Sequence, residues 1–404
     1  MNNKLIFTLL LSFFLFQNNS QAQDQPSMIT ALNSYVHYTN ESIHGMLIAH
    51  RLLENFNQEI NKYVNLQSNQ LNFYANKDLP ANIFVDPEQS FYKISPYRWY
   101  EVVKSESRSL KPADAQRLNA SVDQLKAIMD KVNQVRFDLE NLIKKDLTQK
   151  ANQKPVYAKL ESCVKLYEDF YKTKEKIRKD LFNIYSNNIS RELTRTTIPI
   201  QSLIVFHNTF LSFSRKLRYK TTDSNNNSFA RLKKEGDIIL NNSVKHPFYK
   251  KAKLAVKEIL QEASNFTNKN SFAEAYTLYG AHYYFHNVEL TASFNSYGFG
   301  YIKQANKYIK NMHPTGLLMI EEPHFFRVIS AEEALEFAQS KSAGEGDIID
   351  ELPTIVNDRE VIVRQQSITV DSLDLELAIY DHKEADGDII SLNFNGNWVL
   401  ESIV

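Results

Sequence analysis

Ten histidines and a single cysteine limit the chemistry open to this chain of 404 residues. Six residues have the spacing of a metal site. His37, Glu41 and His44 fall at i, i+4 and i+7, as do His282, His286 and Glu289, so on helices each triple projects to one side. Two such faces meeting across a bundle could hold one or two metal ions, as di-iron bundles do with Glu and Glu-x-x-His ligands. Glu41-Ser42-Ile43-His44 fits that motif once; the second triple does not. Histidines hydrogen-bonded at the edge of a helical seam account for the same residues, and the two triples are expected not to converge. Cys163 sits between Leu160 and Tyr167 on an apolar stripe, the place of an inert buried thiol. No G-x-S-x-G elbow, H-E-x-x-H helix or Walker-type loop is present.

Two further groups of charges could bind ligands. Asp381, Asp386 and Asp388, with Glu384 between them, put hard oxygens close together, as Ca²⁺ prefers. They miss the EF-hand pattern, because aligning Gly387 with the loop glycine puts His382 at the first ligand position. Ordinary turn chemistry explains Asp-Gly-Asp equally well. Calcium is the cofactor that the loop 381–388 would take. The second group is basic: Arg215, Lys216, Arg218, Lys233, Lys234, Lys250 and Lys251 lie in a stretch with few acids. Such a surface attracts anionic lipid or acidic glycan, could dock on the chain's own acidic end, or is simply a solvated helix face.

The elements that must position these residues are mostly helical. Leu118, Val122, Leu125, Met129, Val132, Val135, Leu139 and Leu142 recur every three or four residues. The spacing resumes near Pro155, through Leu160, Val164, Tyr167, Phe170, Ile177, Leu181 and Ile184, after a polar break at 148–154. This predicts a long antiparallel helical hairpin over about 113–188 in an elongated bundle. Leu32, Val36, Ile43, Leu47, Leu53 and Ile60 predict a helix ahead of it, and capping boxes at Ser271/Glu274 and Ser330/Glu333 predict further helices as far as residue 340.

The chain's two ends differ from this helical part. Residues 1–22 have one lysine, an apolar run from Leu5 to Phe16 and small residues before a cut expected after Ala22, the pattern of a cleavable secretory signal. No cysteine follows the run to take a lipid, and no later segment offers the roughly 20 apolar residues a membrane span needs. An exported protein in the periplasm, on the cell surface or in the medium is expected, and export argues against nucleic acid as a physiological partner. At the other end, the zero net charge divides: residues 23–340 carry 42 Lys and Arg against 33 Asp and Glu, whereas residues 353–404 carry 3 against 10. The Gly-containing acidic stretch 341–352 reads as the linker between them.

Beyond the linker the apolar period changes to two. Leu375, Leu377 and Ile379 alternate with Glu376 and Ala378, and Ile390, Leu392 and Phe394 with Ser391 and Asn393; Asn395-Gly396 is a hairpin turn before Trp398–Val404. The stretch Tyr380 to Gly396, YDHKEADGDIISLNFNG, resembles the D-N-G-x-x-D-G-D-x-[IV]-S-[LV]-x-x-N-G segment of a β-sandwich module of secreted and cell-surface proteins in Gram-negative bacteria, with His382-Lys383 in place of Asn-Gly. The resemblance covers about 45 residues and implies a sandwich. The four strands expected in 353–404 fall short of one, so an incomplete sandwich is expected. Together these features predict a mainly α protein with a small C-terminal antiparallel β module. Its expected role is a non-enzymatic envelope scaffold that docks an envelope partner, with a metal-binding protein or metal-dependent enzyme as the alternative.

Overall fold

The computed structural model describes residues 25–62, 96–188, 197–219, 225–267, 280–295, 300–330, 332–333, 336, 390–394 and 397–403. The fold is mainly α, in two compact units, 1–338 and 339–404. The first unit contains α1 (Gln25–Lys62), α2 (Tyr97–Glu106), α3 (Pro112–Leu142), α4 (Lys150–Asn188), α5 (Thr197–Arg218), α6 (Asn225–Leu240) and α7 (Pro247–Thr267). The next helix runs through three geometries, α8 (Ala281–Tyr284), a π-helical stretch (Phe285–Leu290) and α9 (Thr291–Phe294), before α10 (Tyr301–Met312). Among the described residues no helix is long and apolar enough to cross a membrane.

The hairpin α3–α4 follows its apolar stripes. Leu118, Val122, Leu125, Met129, Val132 and Leu139 on α3 and Leu160, Phe170, Ile177 and Leu181 on α4 are buried, and Leu125 and Leu139 are 0 % exposed. Cys163 is buried between them, and burial pushes its thiol up to about 12. One boundary differs from expectation: α4 begins at Lys150, so Pro155 lies inside it. The polar residues 148–154 instead form the turn and first helical residues. Asp146 accepts from Thr148 N and Oγ1 and Gln149 Nε2, and Asn152 Nδ2 donates to Asp146 O, bonds that tie the turn to the first residues of α4.

A larger departure comes after α10. The expected continuation of helix to residue 340 is interrupted: residues 316–330 form neither helix nor sheet and run extended among the helices. We call this segment the strap. It is mostly buried, with Leu318, Met319, Ile320, Glu321, Glu322, His324, Phe326, Val328 and Ile329 all under a tenth exposed. Gly316 opens it at a close approach, where a Cβ would lie 2.6 Å from Ile309 Cγ2 and 2.9 Å from His313 O. At its far end the Ser330/Glu333 capping box forms both bonds, Ser330 N to Glu333 Oε2 at 3.0 Å and Glu333 N to Ser330 Oγ at 3.1 Å. Ser271/Glu274 lies outside the described residues.

In the second unit β1 (Ile390–Phe394) and β2 (Asn397–Ile403) pair antiparallel, with Ile390 opposite Ile403, Leu392 opposite Leu400 and Phe394 opposite Asn397. The register shifts between Ile390 and Leu392 and again between Leu392 and Asn393.

Candidate functional site

A buried chain that is neither helix nor sheet must find partners for its N–H and C=O groups elsewhere. Here side chains supply them. Asn33 donates to Gly316 O and accepts from Leu318 N; Asn40 does the same for Met319 O and Glu321 N. Asn306, Asn295, Asn287 and Asn57 each take both groups of one strap residue, respectively Met319, Glu322, Phe325 and Ile329, at 2.7–3.2 Å. The Asn amide carries a donor and an acceptor side by side and so imitates a neighbouring strand. Pro323 has no N–H, and Arg218 serves the carbonyls there, donating to Pro323 O and His324 O at 3.3 Å each.

Ionisable groups gather around the middle of the strap. Lys174 of α4 is 0 % exposed and donates to Glu322 Oε2 at 2.5 Å and Glu175 Oε1 at 3.0 Å. Burial pushes the Glu322 carboxyl up, but Lys174, His286 and Arg218 outweigh it and hold it below the ordinary carboxylate value. From α1, His50 Nε2 lies 3.2 Å from Phe325 O and 2.7 Å from the Tyr283 hydroxyl, which itself donates to Glu54 Oε1 at 2.6 Å. Thr291 donates to Asn287 O, so its Oγ1 accepts from His324 Nε2 at 2.9 Å. Burial lowers the imidazoles of His50, to about 3, and of His286 and His324. These rings are neutral at ordinary pH.

One pair has the form of a nucleophile and its base. Asn287 Nδ2 donates to Phe325 O, which fixes Oδ1 as an acceptor; His286 Nδ1 at 3.0 Å therefore carries the proton, and Nε2 accepts from Ser214 Oγ at 2.9 Å. A serine held this way is the arrangement of nucleophilic catalysis. Ser214 and His286 are both 0 % exposed, however, so no substrate atom reaches Oγ while the strap is in place. As it stands the pair completes a polar core. The π-helical stretch, all of whose residues are buried, aims His286 and Asn287 into that core; a stretch of this kind changes the pitch inside a helix and often marks a functional position.

Of the sequence candidates, only His286 reaches this centre with Arg218. His37 stacks on Trp99 with ring centroids 4.6 Å apart, and His282 packs edge-on against Phe266 at 5.1 Å. His282 lies on α8 and His286 in the π-helical stretch, whose wider turn breaks the i, i+7 alignment with Glu289 assumed for an α-helix. His44 is half-buried, Glu41 exposed and Glu289 buried. Among the described residues no group of three His, Cys, Asp or Glu is placed to hold a metal ion. Asp381, Glu384, Asp386 and Asp388 lie outside the described residues. Arg218 corrects the basic surface: it is 6 % exposed, lies over the Tyr171 ring at 4.1 Å and serves the strap. Arg215, Lys233, Lys234, Lys250 and Lys251 are exposed, Lys233 pairing with Asp237 at 2.6 Å, and Lys216 donates to Ser228 Oγ at 2.6 Å.

Compared with protein-family profiles, curated proteins and solved structures, the chain shows no significant match to any of them.

Proposed function

We propose that this is a non-enzymatic exported envelope protein whose helical unit is a holder and whose C-terminal unit, an antiparallel β module, is the docking element. The observation that carries the reading is the clasp. Six asparagines, Asn33, Asn40, Asn57, Asn287, Asn295 and Asn306, spend both ends of their amides on the backbone of residues 316–330, the chain that leads on to residues 339–404. Bonds to backbone hold a segment whatever its side chains, which suits a fixed attachment better than a reacting centre. Glu322 of the same segment pairs with Lys174 of α4, and neither charge is exposed. The signal-like residues 1–22 support export, and the acidic balance of 353–404 suits a partner or surface of opposite charge.

Co-sedimentation of the purified mature chain with isolated cell envelopes tests this. The full chain should co-sediment, and a chain ending at residue 338 should melt as the full helical unit does yet stay in the supernatant. Undiminished binding by the shortened chain would overturn the docking role. A stoichiometric transition metal in the purified protein, with histidine ligation in its spectrum, would instead favour the metal-binding alternative.

A further inference from the structure

Histidine is concentrated on the strap. Of the chain's ten, His324 belongs to it, His50 and His207 lie at 3.2 and 2.8 Å from its carbonyls at Phe325 and Ile320, and His286 stands 3.9 Å from its Glu322. Three of these rings crowd its middle: His50 and His324 have centroids 5.0 Å apart, and His286 lies 5.1 Å from Phe325. The cations facing them come from three helices, Arg51 on α1, Lys174 on α4 and Arg218 on α5. The carboxylates facing them are already engaged. Glu54 Oε2 is 3.8 Å from His50 Nδ1 but its other oxygen takes the Tyr283 proton, and Glu322 is held by Lys174. Tyr167 of α4 gives its hydroxyl to Met46 O, and Glu175 pairs with Lys174 and Arg178. An imidazolium formed here would be a buried positive charge beside Arg218 and a second imidazole, facing carboxylates at 3.8 and 3.9 Å that already bond Tyr283 and Lys174.

We propose that the strap is an acid-released clasp: protonation of the imidazoles around residues 322–326 frees residues 316–330 from the helices while the α3–α4 hairpin stays folded. This rests on the holder reading and adds a control to it. The difference between the regions is chemical. The asparagine amides that hold the ends do not titrate, nor does the apolar seam of α3–α4, so the penalty of protonation falls on the strap's middle. Opening it would also uncover Ser214 and His286, which meet at 2.9 Å beneath it.

The test is amide hydrogen exchange of the full mature chain at about pH 7.5 and about pH 5.5, corrected for the intrinsic pH dependence of exchange. Each imidazole that becomes solvated on opening, with an ordinary value near 6.5, should raise the opening constant about tenfold between those two pH values. The three central rings therefore give an expected rise of roughly 10- to 1,000-fold in the opening constant of the strap, so that at about pH 5.5 strap peptides exchange well before those of α3 and α4, which open only with the whole unit. The full chain carrying His324→Gln, which retains a donor and cannot ionise, should lose about one factor of ten of that response. Exchange of strap and hairpin peptides together at about pH 5.5, or no acceleration of the strap, would overturn the proposal. This outcome is independent of envelope binding, so a failed clasp and a failed docking role are told apart.

Discussion

The α3–α4 hairpin and the strap are both buried, yet they are held by opposite means. In the hairpin, leucine, valine and aromatic side chains at helical spacing are removed from water, and each helix satisfies its own backbone. In the strap the backbone is satisfied by other elements' side chains, and charged groups are brought inside with it. The hairpin tolerates loss of one contact as a loss of area. The strap's contacts are discrete, and breaking one leaves a buried polar group without its partner, which costs more than the bond itself contributes.

Variants at single positions should separate the two modes. The largest effect is expected at Lys174→Met, which leaves the buried Glu322 without its closest cation: about 3–5 kcal/mol of stability lost in denaturant unfolding. A loss under about 1 kcal/mol would mean that the buried pair contributes no more than a surface pair. Leu125→Ala and Leu139→Ala, both in the hairpin seam, should each cost about 2–5 kcal/mol by the same measurement. An unchanged melt for both would show that the seam is not packed. Asn295→Ala removes both partners of Glu322's backbone and should cost about 1–3 kcal/mol. The smallest effect is expected from Lys126→Ala on the exposed side of α3. Its 2.7 Å pair with Asp130 is an i, i+4 surface contact worth about 0.3–0.5 kcal/mol, and less in salt.

The hairpin was legible in the sequence because a packed helix repeats its apolar residues with the helical period, and Leu118 through Leu139 do so without interruption. Pro155 misled by one turn, since proline is tolerated near a helix start as well as at it. The strap was not legible. Its run Leu317-Leu318-Met319-Ile320 has the composition of a buried helix or strand, and nothing local indicates that its partners are asparagines on α1, α10 and the π-helical stretch. Asn33 and Asn306 are 273 residues apart and have no mutual period. His286 was found through a triple whose i, i+7 member, Glu289, the π-helix then turns away, whereas His50 and Glu54, at i, i+4, were missed beside His44. Arg218 was taken for surface because its neighbours Arg215 and Lys216 are basic too, and only the fold shows that it faces the other way.

The holder account stands or falls on whether the strap is bound firmly among the helices around it. Residue-resolved amide exchange at neutral pH measures this directly at Leu318, Met319, Glu321, Glu322, Phe325 and Ile329, whose N–H groups are bonded to asparagine side chains. The account predicts that at neutral pH these six amides are strongly protected relative to an unstructured chain, as a buried, bonded segment must be. Exchange of all six at rates near those of an unstructured chain, while α3 and α4 remain protected, would contradict it.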